Sequence, residues 1–251
     1  MKSSRLTRME RYIQEKGFVT VTELCDAFQI HPNTARSDIR ALVDSGVALK
    51  KYGGVSAVNR LSTDYRERAR TNIESKEAIG RTAALLLEEG DVIYLDAGST
   101  AFMLLKCASG LPKQLTVVTS SLSVVNWVAE NTNYPLHVLP GEMDRRTNSI
   151  QSMETMENIK SYKISKAFIG IRGVSGKGEL LSASGIDAGV KKTLCQISDR
   201  VILLADAEKV KPTNAVYSYF TLEKVDTWVC DRATGKIGEL CRQFHVKLLT
   251  P

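Results

Sequence analysis

From about Lys76 to Cys230 the sequence repeats one alternation: a short apolar run, a turn rich in small or polar residues, then a helical pattern. The periodicity predicts strands at Asp91–Leu95, Leu115–Thr119, Leu136–Leu139, Ala167–Ile171, Arg200–Ala205 and Thr227–Cys230. It predicts helices over Lys76–Leu87, Ser99–Cys107, Leu122–Glu130 and Ala188–Ile197. Strands that are apolar along their length and separated by helices are buried on both faces. The fold class is therefore α/β, with a mainly parallel sheet covered by helices on both sides. In such a sheet a ligand sits at the carboxyl ends of the strands, so the strand-to-helix turns hold the chemistry.

The first sixty residues follow another plan. Leu6, Met9 and Ile13 recur at helical spacing over Leu6–Lys16, and Gly17 stops that helix. Thr20 and Glu23 form a capping box for a second helix that ends near Gln29. Pro32 suits the first position of a third helix, whose buried stripe is Ala35, Ile39, Leu42 and Val43 and which Gly46 is placed to close. The β-prone runs Val47–Tyr52 and Val55–Val58 are joined through Gly53-Gly54, a hairpin signal. Three helices and a hairpin make a winged helix-turn-helix.

Charge supports a nucleic-acid partner for this module. Residues 1–60 hold ten Lys/Arg against six Asp/Glu, so four of the chain's six excess positive charges fall there. Removing the apolar stripe from the third helix leaves Asn33, Thr34, Arg36, Ser37 and Arg40 on the opposite side. Short polar groups and guanidinium forks of this kind read base edges and hold phosphates in a major groove. Lys50, Lys51 and Tyr52 on the hairpin extend the same face. Asp38 would repel phosphate there and is read as structural, oriented by Arg36, Arg40 or a neighbouring helix; His31 is read as a weak helix cap or a backbone contact, not a metal ligand. The expected partner is double-stranded DNA. Arg60–Ser75, polar and dense in charge, is read as a linker or a solvent-exposed connecting helix.

In the larger part, Asp96-Ala97-Gly98-Ser99-Thr100 follows a strand and opens a helix. Gly98 lets the backbone approach a ligand, Ser99 and Thr100 add hydroxyls, and the helix offers unpaired amides to a phosphate. The same residues also suit a plain tight turn in which Ser99 caps the helix. Lys209, beyond the strand end at Ala205, can neutralise a phosphate at a neighbouring turn or stand as a solvated loop lysine. Thr119-Ser120-Ser121, Pro140–Arg146 and the glycines of Gly170–Gly178 are further turns of interest.

Several classes are excluded. The apolar runs, such as Ala83–Leu87 and Val201–Ala205, fall far short of the ~20 residues of a membrane span, and no signal-peptide pattern is present. Five scattered cysteines outside any C-x-x-C pair argue against a disulfide framework and for a reducing cytoplasm. Three histidines in separate segments give no zinc site or Ser-His-Asp triad, and no dinucleotide or Walker motif is legible; neither cofactor nor metal is expected.

Gly17–Leu24, Ile30–Ile39 and Lys51-Tyr52-Gly53-Gly54-Val55, followed by Asp96–Thr100, Thr119-Ser120-Ser121, Ala167–Gly170 and Asp206–Lys209, resemble the DeoR family of bacterial transcription regulators in order and approximate spacing. The resemblance implies a winged helix-turn-helix followed by a sugar-phosphate-sensing domain whose fold is similar to ribose-5-phosphate isomerase. It implies phosphate contacts at Gly98, Ser99, Thr100 and Lys209, a sugar-hydroxyl role for Asp96, and places for Ser120, Gly141 and Asp187 in the effector pocket. The sequence departs from the family pattern at His31, Ser37, Pro140, Ser152 and Asp187. The expected organisation is a DNA-binding domain over 1–60, a linker over 61–75, and an effector-sensing and oligomerisation domain over 76–251. The expected function is a regulator, most simply a repressor of a sugar-utilisation operon, acting as a homodimer or homotetramer. The alternative is an isomerase-like enzyme with a basic appendage, in which Asp187 serves as general base.

Overall fold

The computed structural model describes residues 2–45, 47–57, 64–211 and 215–251. The chain divides into two compact units, Met1–Arg60 and Leu61–Pro251.

In the first unit, α1 (Lys2–Lys16), β1 (Phe18–Thr20), α2 (Val21–Phe28), α3 (Pro32–Asp44), β2 (Ala48–Lys51) and β3 (Gly54–Ala57) follow in order. Met9, Ile13, Leu24, Ala35, Ile39 and Leu42 bury one stripe of each helix against Val19, Ala48 and Val55. The Thr20–Glu23 capping box forms, with the Glu23 amide donating to Thr20 Oγ1 at 3.2 Å and the Thr20 amide donating to Glu23 Oε2 at 2.7 Å. His31 caps α3, its Nδ1 accepting from the Asn33 amide. Asp38 is buried, and its partner is the neighbouring helix: Arg5 of α1 donates through Nε at 2.7 Å and Nη2 at 3.1 Å.

The hairpin differs from expectation in register. Its turn falls on Tyr52-Gly53, with Gly53 at φ +78°, and Gly54 already lies in β3 opposite Thr20. A Cβ at Gly54 would stand 2.3 Å from the Val19 carbonyl oxygen, so the second glycine permits strand approach. The strand responsible, β1, completes a sheet of order β1-β3-β2. It is three residues long and runs from the residue after Gly17 to the capping Thr20 itself. Val43 is only half-buried, and the expected roles of Gly46 and Val58 lie outside the described residues.

The second unit opens with α4 (Tyr65–Arg70) and α5 (Ile73–Ala84), followed by β4 (Asp91–Leu95), α6 (Ser99–Cys107), β5 (Leu115–Thr119), α7 (Leu122–Asn131) and β6 (Leu136–Val138). A hairpin, β7 (Glu142–Asp144) and β8 (Ser149–Gln151), leads through α8 (Met153–Asn158) to β9 (Lys166–Gly170). Then come β10 (Gly173–Val174), β11 (Glu179–Ser182), α9 (Gly185–Ile197), β12 (Arg200–Leu204), β13 (Tyr217–Thr221), β14 (Thr227–Val229), α10 (Gly235–Gln243) and β15 (Lys247–Leu249).

Seven parallel strands form one sheet in the order β15-β14-β12-β9-β4-β5-β6. Alternate residues feed two cores: Ile93 and Leu95 of β4 face α5, α6 and α7, while Tyr94 faces the side of α9 and α10. From β4 the chain runs outward to β5 and β6, and from β9 it runs the other way. The β4–β9 pair is thus the topological switch point, where a crevice opens at the strand carboxyl ends.

The sequence reading missed the β7–β8 hairpin and the antiparallel sheet β10-β11-β13. The segment read as a linker or a solvent-exposed connecting helix contains the helix α4, and it is not simply solvated. Tyr65 is buried, with its amide donating to the Arg146 carbonyl at 2.7 Å, and α5 starts at Ile73, so that Lys76 is buried inside it. Among the described residues no helix is long and apolar enough to cross a membrane.

Candidate functional site

Asn33, Arg36, Ser37 and Arg40 are exposed on one side of α3, with Thr34 half-buried beside them. Lys50 and Lys51 are exposed on β2, and Tyr52 is fully exposed at the hairpin tip. None of these four basic side chains makes an ion pair among the described residues. With Asp38 turned inward to Arg5, the outward face of α3 is polar and cationic from Asn33 to Arg40, and its exposed acid, Asp44, lies at the C-terminal end.

In the second unit the switch point is built around Asp96, the residue after β4. Its Oδ2 accepts from the Gly170 amide at 2.8 Å and meets Lys191 Nζ at 3.2 Å. A Cβ at Gly170 would stand 3.1 Å from that oxygen, so β9 approaches β4 through a glycine. Lys191, on α9, also binds Asp187 Oδ2 at 3.0 Å, and Ser182 Oγ donates to the same oxygen at 2.6 Å. Both carboxylates are anchored through Oδ2, and neither Oδ1 has a hydrogen bond among the described residues.

Two acids sharing one buried base set its protonation. Burial draws the Lys191 ammonium down, but Asp187 and Asp96 outweigh it and hold the group above its usual value. Burial pushes the Asp96 carboxyl up; Lys191 opposes that and the charge of Asp187 adds to it.

Beside this triad begins α6, with Gly98 at its N-cap and no side chain capping its first amides. Ser99 and Thr100 are buried, and neither hydroxyl has a partner among the described residues. The alternative in which Ser99 is the helix cap therefore does not hold. Ser120 is buried after β5, its Oγ 3.5 Å from the Tyr94 hydroxyl. Lys209 lies in a 3-10 turn, Ala207–Val210, beyond β12; it is half-buried, not a solvated loop lysine, and its ammonium has no hydrogen bond or ion pair among the described residues. Burial lowers its pKa; Asp206 opposes the shift, and Arg172 and Arg68 add to it. Gly141 immediately precedes β7. A Cβ there would meet Ser152 Oγ at 2.7 Å and Thr155 Oγ1 at 2.8 Å, so its backbone serves close approach to the start of α8.

Besides Lys191, three cations at this site had no role in the sequence reading, although Arg172 lies in one of the turns it singled out. Arg68 of α4 is held down by burial, against the pull of Asp96 and Asp187. Arg172, after β9, is lowered to about 10 by burial and by the charge of Arg68. Lys76 of α5 is lowered to about 8 by burial and by Lys209, with Asp206 opposing and Arg68 adding. Arg68 and Lys76 come from the segment read as linker and its junction with the first large helix, and only the fold carries them to the strand ends. Rim charges pair among themselves: Arg146 with Asp144, and Glu208 with Lys211 and Arg232.

A family model described as a DeoR-like helix-turn-helix domain matches residues 5–60, and one described as the DeoR C-terminal sensor domain matches residues 71–232. The HTH-type transcriptional regulator IolR of Bacillus subtilis (strain 168) is 30% identical over 222 residues, 88% of each chain. The HTH-type transcriptional repressor GlcR of the same strain is 28% identical over 92% of this chain and 89% of its own. The glycerol-3-phosphate regulon repressor of Escherichia coli (strain K12) is 26% identical over 94% of each chain. Among solved structures, ribose 5-phosphate isomerase A from Methanocaldococcus jannaschii is 19% identical with a TM-score of 0.41, each chain covered to 56%. The enzyme alternative yields to these matches, because the families and the full-length relatives are regulators. Both units are matched in the order in which the chain presents them, and the chain belongs to the DeoR family of DNA-binding transcriptional regulators.

Proposed function

We propose that this regulator is a cytoplasmic repressor of a sugar-utilisation operon, and that a phosphorylated sugar held at the switch point alters its affinity for operator DNA. One observation carries the proposal. Five cations (Arg68, Lys76, Arg172, Lys191 and Lys209) face three carboxylates (Asp96, Asp187 and Asp206), an excess of two positive charges, or of one when Asp64 beside Arg68 is counted. A phosphate monoester carries about −1.5 to −2 at pH 7 and would neutralise that excess.

The uncapped amides at Gly98, Ser99 and Thr100, their two hydroxyls and the Lys209 ammonium would hold the phosphate. The Oδ1 atoms of Asp96 and Asp187, which have no hydrogen bond among the described residues, would accept sugar hydroxyls, with Ser120 adding a hydroxyl at the next strand end. The part of Gly141 is the one the family resemblance implies. On α3 and the wing, Asn33, Thr34, Arg36, Ser37 and Arg40 would read DNA, and Lys50, Lys51 and Tyr52 would track its backbone. One recognition helix makes few base contacts, so a homodimer or homotetramer reading repeated half-sites is the expected assembly. The relative named for a glycerol-3-phosphate regulon agrees in kind.

A thermal-shift panel tests the ligand class. Saturation at a hundredfold excess over Kd stabilises by about 2.7 kcal/mol, which raises Tm by several degrees. The expected outcome is a rise with one or a few sugar phosphates and none with the parent sugars. A panel in which no phosphate ester shifts Tm contradicts the reading.

A further inference from the structure

The Asp231 carboxylate joins two elements that the ligand reading treats separately. Its Oδ2 accepts from Ser75 Oγ at 3.0 Å and its Oδ1 from the Ala207 amide at 2.8 Å. The start of α5 is thereby fastened to the 3-10 turn that carries Lys209. The next residue of α5, Lys76, is 4% exposed, and its ammonium donates to the carbonyls of Arg68 and Thr71. The first lies in the last turn of α4, where it also accepts from the Thr71 amide and hydroxyl, and the second belongs to Thr71, the residue that caps α4. The other end of α4 is held by the bond from the Tyr65 amide to the Arg146 carbonyl. The charged groups facing Lys76 are Lys209 and Asp206 from beyond β12 and Arg68 from α4. In the sequence, α4 is the first described element after the DNA-binding unit.

We propose that Lys76 is the positioning residue through which an anion at Lys209 is felt at α4, the helix that leads from the DNA-binding unit into the sensor. With the pocket empty, Lys209 repels the Lys76 ammonium and weakens its hold on the α4 carbonyls. A dianion beside Lys209 cancels that repulsion, keeps Lys76 protonated and strengthens two charge-assisted hydrogen bonds. Ligand binding then tightens the C-terminus of α4 and takes up a proton. The inference rests on the phosphate reading above, and its test separates the two.

The test uses the full chain with inorganic phosphate as the probe. Calorimetry at pH 8 in two buffers of different ionisation heat reads proton uptake, and hydrogen exchange reads the amides of residues 65–71. The wild type is expected to take up about half a proton per site, since Lys76 titrates near 8, and to gain protection in α4. Lys76→Met is expected to bind phosphate more weakly, without that share of uptake and without the gain. Ser75→Ala, a milder change, should keep the binding and lose at least half of the added protection; it decides the matter if Lys76→Met does not fold. Phosphate binding with the same uptake and protection in wild type and variant overturns the relay and leaves the phosphate site standing. Absence of phosphate binding to the wild type overturns both.

Discussion

Lys76 and Lys209 hold charge where water is scarce, and that makes the sensor unit's stability depend on pH. A lysine whose folded pKa is depressed binds fewer protons folded than unfolded, so stability rises with pH between the two values. For Lys76 the window runs from about 8 to the unfolded 10.5. Buried thiols oppose this, since Cys195 and Cys230 are pushed up to about 12 by burial and lose stability as pH passes the unfolded value of 9.0. The informative quantity is the difference between wild type and Lys76→Met. Denaturant unfolding from pH 7 to 10 should show the ligand-free wild type gaining on the variant, with a smaller gain in saturating phosphate. Equal pH dependence in both proteins would contradict the placement of Lys76. Residues of this kind are hard to read in a sequence. Asp96, Ser99 and Lys209 stand in turns after obvious strands, as Arg172 does after Ala167–Ile171, whereas Arg68 and Lys76 look like ordinary surface charges until the fold brings them together.

Elements were legible in proportion to their burial. Asp91–Leu95, Leu115–Thr119 and Ser99–Cys107 match β4, β5 and α6 residue for residue, because central parallel strands and the helices on them are apolar enough to stand out. The strands of the small sheet and of the β7–β8 hairpin are two to five residues long and mostly polar or half-exposed, so no period can be counted in them. Packing between α5 and α6 supplies a test at this scale. A Cβ at Gly80 would stand 2.5 Å from the Met103 carbonyl oxygen, and backbone cannot swing aside as a side chain can. Gly80→Ala should destabilise the sensor unit by about 1–3 kcal/mol in denaturant unfolding, against the small gain alanine gives in an open helix. A stabilised variant would show that the two helices do not pack through this glycine.

The two units make separable contributions at the scale of the whole molecule. Arg36→Ala should weaken operator binding by about 1–3 kcal/mol and relax preference at one base position, as loss of a bidentate base contact does. Lys51→Ala should weaken binding to all sequences alike and lower the salt slope by about one. Fluorescence anisotropy with matched and scrambled DNA across a salt series distinguishes these outcomes; neither variant should alter the thermal shift given by a sugar phosphate. Coupling requires more, namely that the ligand bind two states of unequal DNA affinity with unequal strength. The most direct measurement is a titration of the protein–DNA complex, formed on the region upstream of its own gene, with the sugar phosphate that raises Tm, for wild type and Lys209→Met. The account predicts that the ester changes wild-type DNA affinity at least fivefold and leaves Lys209→Met unchanged, with equal salt slopes for the two ligand-free proteins. Unaltered wild-type affinity at saturating ester, or an undiminished response in Lys209→Met, would contradict it.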